Sequence, residues 1–178
     1  MTANRTVPMT QPTPAADPIR YRIGACALGP FLAAATGRGV CAILFGDDAD
    51  ALRADLRDRF PDAVLTEADD PLFDAVARFL DAARGAPDFP LDPAGTDFQR
   101  EVWEALRTVP AGRTASYKEI ALSIGAPKAV RAVARACAGN PIAVAIPCHR
   151  IVRSDGAMSG YRWGAARKRA LLDREARA

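Results

Sequence analysis

Apolar positions along the chain change their spacing several times. Residues Ile19–Cys26 partly alternate, and two short apolar runs follow at 31–36 and 40–45, separated by Gly37 and Gly39. Alternation bounded by turn formers predicts a small antiparallel sheet. The spacing then lengthens. Leu52, Leu56 and Phe60 predict a helix over 49–60, and Leu72, Val76, Phe79 and Leu80 predict another over 71–84. Segment 85–95, with three Pro and two Gly, breaks the pattern. It separates an expected α+β unit over 19–90 from a mostly helical unit over 91–178. Residues 1–18, with Pro8, Pro12, Pro14 and Pro18, predict a flexible tail.

The second half carries sharper helix signals. Thr96-Asp97-Phe98-Gln99 and Ser116-Tyr117-Lys118-Glu119 both fit capping boxes. Phe98, Val102 and Leu106 line one face after the first box. The helix after the second box ends at Gly125, and Ala126-Pro127 break the chain before a third helix over about 128–138. Helix, tight turn and helix form a helix-turn-helix pattern, which is also compatible with a helical hairpin that binds nothing. In the third helix Val130, Val133, Ala134 and Cys137 are expected to face inward. Arg131 and Arg135, one turn apart, share another side beside Ala129 and Ala132. A last helix is expected over about 163–176.

Composition narrows the class. The chain has 178 residues, 49% of them hydrophobic, so it can bury a core and is not disordered. It has no apolar run of membrane-spanning length and no apolar signal-peptide core. A cytoplasmic protein with reduced thiols is expected. Four cysteines without a C-x-x-C pair, and a single His, predict no metal site. No Gly-rich loop opens a βαβ unit, so no nucleotide-type cofactor is expected. Residues 1–95 hold 9 basic and 14 acidic groups, and residues 96–178 hold 15 basic and 7 acidic. A basic second half fits a polyanionic partner, and it also fits solvated Arg-rich helices.

The chemistry concentrates near the end. Asn140-Pro141 closes the third helix, and the apolar run 142–146 reads as a buried strand leading into Pro147-Cys148-His149-Arg150. A free thiol of pKa ~8.5 is only about three per cent ionised at pH 7, so a nucleophilic Cys needs a base or a positive charge nearby. His149, the only His, and Arg150 are adjacent to Cys148. Neighbouring strand side chains point to opposite faces, so Cys148 and His149 need a turn or a bridging water to cooperate. Asp173 and Glu175 are both candidates to orient the imidazole.

These residues carry a resemblance. Asn140-Pro141, the stretch from Ile146 through Pro147-Cys148-His149-Arg150 to Ile151-Val152, and Ser159-Gly160-Tyr161-Arg162-Trp163-Gly164 together resemble the O6-alkylguanine-DNA alkyltransferases, in particular the C-terminal half of bacterial Ada proteins. The resemblance implies an α+β fold: a small antiparallel-sheet, ribonuclease-H-like N-terminal domain and a helical, winged-helix-like C-terminal domain with the helix-turn-helix. It implies direct-reversal repair of double-stranded DNA by a monomer associated with the nucleoid. The alkyl group of a flipped O6-alkylguanine, with O4-methylthymine as a second substrate, would move irreversibly to Cys148.

By the same resemblance His149 is the base through a water, Glu175 holds His149, and Asn140 braces the turn. Tyr117 hydrogen-bonds the flipped base, and Arg131 enters the duplex. Ala129, Ala132 and Arg135 meet the groove, and Ile151, Ser159 and Tyr161 form the guanine pocket. The Ada sensor domain's cysteine cluster is absent, so repair without that regulatory switch is expected. Among other readings, a non-catalytic lesion-binding relative would lack the acceptor that Cys148 provides. A helix-turn-helix regulator leaves the Pro147–Arg150 signature unexplained, and a cysteine hydrolase would need an oxyanion hole that no motif announces.

Overall fold

The computed structural model describes residues 18–82 and 85–177. The expected tail lies outside these residues apart from Pro18, as do the last two positions of the helix expected over 71–84.

The three expected strands form. β1 (Ile19–Cys26) and β2 (Gly29–Ala35) make a hairpin, and β3 (Val40–Phe45) pairs antiparallel to β2 with a register shift at Ala34/Ala35. A short β4 (Leu65–Glu67), too brief to stand out in the sequence, adds parallel to β1 and gives the order β3-β2-β1-β4. Helices α1 (Ala49–Arg59) and α2 (Pro71–Ala82) pack against this sheet through Leu52 and Leu56, and through Phe73, Val76 and Leu80. β2 and β3 are covered on both faces, which explains their unbroken apolar runs.

The outer edge of β3 is closed rather than exposed. At one end Val40 N–H donates to Pro90 O (2.9 Å) and Asp92 N–H donates to Val40 O (2.8 Å). At the other, Ile43 N–H donates to Pro141 O (3.0 Å) and Ala143 N–H donates to Ile43 O (3.0 Å). The sheet edge is thereby paired, and the chain just before Cys148 is anchored to it.

In the second half, α3 (Asp97–Arg107) and α4 (Tyr117–Ser123) both start with complete capping boxes. α3 buries Val102, Trp103 and Leu106, whereas Phe98 is only half-buried. Trp103, which the spacing did not single out, donates from Nε1 to Ala136 O (2.9 Å) and ties α3 to α5 (Val130–Ala138). The third helix thus begins at Val130, not Lys128. Ala129 N–H closes a turn on Ala126 O (2.8 Å), and no side chain is present to cap an earlier start. Its buried residues are Val133, Ala136 and Cys137; Val130 and Ala134 are only half-buried.

Run 142–146 is buried but is not a strand. After Ile142 pairs with Ile43 the chain coils: Ala145 N–H bonds Ala143 O (2.7 Å), Ile146 N–H bonds Ile142 O (3.1 Å), and Val144 has φ 66°. Pro141 and Pro147 remove backbone donors at both ends, so a ladder cannot extend. The short β5 (Ala115–Ser116) and β6 (Ile151–Val152) pair in parallel. The last helix, α6 (Ala165–Ala176), starts after Gly164 (φ 96°) rather than at Trp163. No helix among the described residues is long and apolar enough to cross a membrane.

Removing the Thr96 cap tests this reading of α3. Thr96→Ala should cost about 1 kcal/mol and lower Tm by roughly 2–4 °C, measured by thermal unfolding.

Candidate active site

Pro147 stops the coil, and Cys148–Arg150 form one 3₁₀ turn, with Cys148 N–H on Ile146 O (2.8 Å) and Arg150 N–H on Pro147 O (3.0 Å). The turn sends three consecutive side chains to different partners. All three are buried, His149 completely.

Asn140, also wholly buried, fixes the sulfur. Its Nδ2 donates to Ile146 O (2.8 Å) and to Cys148 Sγ (3.2 Å), while its Oδ1 accepts Ile142 N–H (2.9 Å). One side chain therefore clamps both sides of the turn. Burial pushes the Cys148 thiol up to about 11, and the Asn140 bond and the Lys168 charge pull it down by less. The resting group is a neutral thiol.

Of the two acidic candidates, Glu175, 3% exposed near the end of α6, is the one placed against His149. Its Oε1 lies 2.8 Å from His149 Nε2. Arg150 donates to the same carboxylate from Nε (3.1 and 3.2 Å) and Nη2 (2.9 Å), and Gly112 N–H reaches Oε2 at 3.4 Å. Burial would push this carboxyl up; the bonds from His149 and Arg150 and the nearby positive charge outweigh it and hold the pKa at about 2. Asp173 is exposed.

An ionised carboxylate only accepts, so His149 Nε2 carries the hydrogen and Nδ1 keeps its lone pair. Burial lowers the imidazole pKa more than Glu175 raises it, which leaves the ring neutral at pH 7. Nδ1 has no hydrogen-bond partner among the described residues. Arg150 corrects the sequence reading: its charge does not serve Cys148. It is committed to Glu175 and, through Nη1, to Val109 O (2.5 Å).

A cavity of about 310 Å³ opens beside the sulfur, lined by Tyr117, Ala134, Cys137, Ala138, Cys148, Gly160, Tyr161 and Arg162. Tyr117 Oη donates to Ser159 Oγ (3.0 Å), which donates to Ile151 O (3.0 Å). Burial pushes the Tyr117 hydroxyl up, partly offset by the Ser159 bond. The Tyr161 hydroxyl is buried without a partner among the described residues, and its ring packs edge-on to Trp163 (5.3 Å). Tyr117, Cys148, Ile151, Ser159 and Tyr161 thus converge. Ala129, Arg131, Ala132 and Arg135 do not line the cavity. They lie on α5 and the turn before it, with Arg131 and Arg135 exposed and the two alanines half-buried.

The sequence reading missed Lys168. Its side chain is fully buried, and Nζ donates to Ile151 O (2.6 Å) and Ser159 Oγ (2.8 Å). Burial lowers its pKa. Its spacing held the clue: Lys168, Leu171 and Glu175 recur at i, i+3 and i+7 and form the buried face of α6.

Fold and site define a class: α+β proteins that carry a buried thiol, followed in sequence by a His–Glu pair, beside the packed helices α4 and α5. The family described as 6-O-methylguanine DNA methyltransferase, DNA binding domain, matches residues 97–177. The chain is 43% identical over 125 residues to the inducible methylated-DNA--protein-cysteine methyltransferase of Bacillus subtilis, covering 68% of this chain and 70% of that protein. It therefore belongs to the O6-methylguanine-DNA methyltransferase family. It is 51% identical over 162 residues to the bifunctional transcriptional activator/DNA repair enzyme Ada of Escherichia coli, covering 89% of this chain and 46% of Ada. The chain spans about half the length of the first curated relatives it matches. Among solved structures, Mycobacterium tuberculosis OGT in complex with DNA is similar at TM-score 0.73 and 37% identity, over 89% of this chain and 93% of that one.

The buried carboxylate predicts an acid-sensitive fold. Its pKa of about 2 lies below the ordinary 4.5, so its contribution is complete above 4.5 and is lost as pH falls toward 2. His149, lowered from 6.5, acts in the same direction as pH drops below that value. Glu175→Gln leaves Arg150 buried and unpaired. It should cost about 3–5 kcal/mol at pH 7 and flatten the acid limb, as measured by urea unfolding across pH.

Proposed function

We propose that the chain repairs alkylated DNA by moving the alkyl group of O6-alkylguanine onto Cys148 in a single turnover. The observation that carries this reading is the thiol's setting: Sγ borders a base-sized cavity, is clamped by Asn140, and is followed by a neutral His149 anchored on an ionised Glu175.

A carbon buried in the base stack is out of reach of a side chain, so the nucleotide must leave the helix, at a cost of a few kcal/mol. Arg131, exposed at the start of α5, enters the duplex and offsets part of that loss. Half-buried Ala129 and Ala132 allow close backbone approach, and Arg135 meets phosphate. Contacts of this kind suit repair that is indifferent to sequence. The everted base then occupies the cavity. Tyr117 hydrogen-bonds it, Tyr161 walls it, and Ile151 and Ser159 set the floor on which Tyr117 rests.

Chemistry begins with the thiol proton. It passes through a water to His149 Nδ1, and Glu175 stabilises the imidazolium that forms. The thiolate attacks the alkyl carbon, a C–S bond forms, and the C–O6 bond breaks. Guanine leaves with the electron pair and takes a proton. The product thioether is a poor leaving group, so the protein is consumed. O4-methylthymine presents the same kind of carbon to the same sulfur.

Incubation with a duplex containing O6-methylguanine should replace one hydrogen by one methyl, on the Cys148 peptide and no other, read by intact and peptide mass. Cys148→Ala should abolish transfer and keep DNA affinity; loss of both would point to a structural role. Arg131→Ala should slow transfer from duplex about tenfold or more relative to free O6-alkylguanine base, since a few kcal/mol of unstacking is at stake. Equal slowing on both substrates would count against the finger role.

A further inference from the structure

Arg162 has no part in the reaction described so far, yet it lines the Cys148 cavity. Its side chain is 41% exposed and Cys148 is nearly covered, so Arg162 stands at the mouth and the sulfur lies deep. The guanidinium is held from the sheet unit: Arg162 Nη2 lies 3.0 Å from Asp55 Oδ1 on α1. That same oxygen accepts Arg59 Nε at 3.1 Å.

One carboxylate therefore serves two guanidiniums, and the group carries an excess positive charge. Arg59 draws on the same oxygen in a buried setting. Burial lowers its pKa, Asp55 raises it, and the like charge of Arg162 takes back a smaller part of that gain. Arg59 Nη2 is buried with no hydrogen-bond partner among the described residues. A second anion at the mouth would relieve this repulsion and accept charge-assisted bonds from the remaining donors of Arg162. An alkyl group with its reacting carbon at Sγ and an anionic end directed outward supplies that anion. A methyl group does not.

We propose that Arg162, tethered by Asp55, makes the cavity selective for O6-alkyl groups that end in a carboxylate, such as carboxymethyl, over neutral groups of the same size. This rests on the alkyl-transfer reading above. The reaction is unchanged: the C–S bond forms, the C–O6 bond breaks, and the carboxylate remains on the transferred group.

The test compares single-turnover transfer from O6-carboxymethylguanine and from its neutral isostere O6-carbamoylmethylguanine, each in duplex DNA and as free nucleobase. Wild type should prefer the acid. Arg162→Gln should reduce the acid-to-amide ratio about tenfold, the size of one charge-assisted bond worth roughly 1.4 kcal/mol. Arg162→Lys should retain most of the preference, and Asp55→Asn, which frees the guanidinium, should raise it. The same ratios should appear on duplex and free base. A ratio that none of the three variants moves overturns the proposal. So does a change confined to duplex substrates, which would assign Arg162 to a DNA phosphate. Failure of wild type to accept methyl from O6-methylguanine would instead overturn the alkyl-transfer reading itself. Should Arg162→Gln not fold, the opposite shift expected of Asp55→Asn decides the matter.

Discussion

The geometry of the thiol turn depends on one carboxylate buried near the end of the chain. Glu175 receives His149 and Arg150, two consecutive residues, on the same pair of oxygens. Burying an ion costs several kcal/mol unless its lone pairs are filled, and here four donors fill them. The consequence is structural as well as chemical. Docking α6 through Glu175 sets the imidazole tautomer, and Arg150 carries the constraint on to Val109 beyond α3. Asn140 completes the frame from the other side by binding both the carbonyl before the turn and the sulfur within it.

This frame keeps the thiol quiet until it is needed. A sulfur that bore a full negative charge at rest would react with any small electrophile, a wasteful outcome under the proposed single-turnover transfer. Burial holds Cys148 as a thiol, and the neighbouring base is a neutral imidazole whose free nitrogen is buried. Reactivity is thus tied to proton removal rather than to permanent ionisation. The Tyr117–Ser159–Lys168 chain sits on the other flank of the cavity, where a buried cation fixes the hydroxyl that fixes the tyrosine.

Features set by local chemistry were legible in the sequence. Both capping boxes, the β1–β3 strands and the α1 and α2 periodicities depend on neighbours a few residues away, and they formed where expected. The Pro-Cys-His-Arg motif led to the candidate site. What the sequence hid depends on distant partners. Run 142–146 is apolar because it is buried against β3, not because it is extended. Arg150 looked like an activator of Cys148 because the two are close in sequence, but a carboxylate 25 residues away claims it. Trp103 and Lys168 are tied down by backbone carbonyls of other elements, which no spacing announces for a Trp and only the α6 face hints at for a Lys.

Glu175 holds His149 as a neutral base with its free lone pair on Nδ1. His149 is the only histidine, so its ring nitrogens give the only imidazole signals in a ¹⁵N spectrum and need no assignment. At neutral pH one protonated nitrogen, Nε2, and one bare nitrogen, Nδ1, are expected, with the pattern changed in Glu175→Gln. A doubly protonated ring at that pH, or a proton on Nδ1 instead, would contradict it.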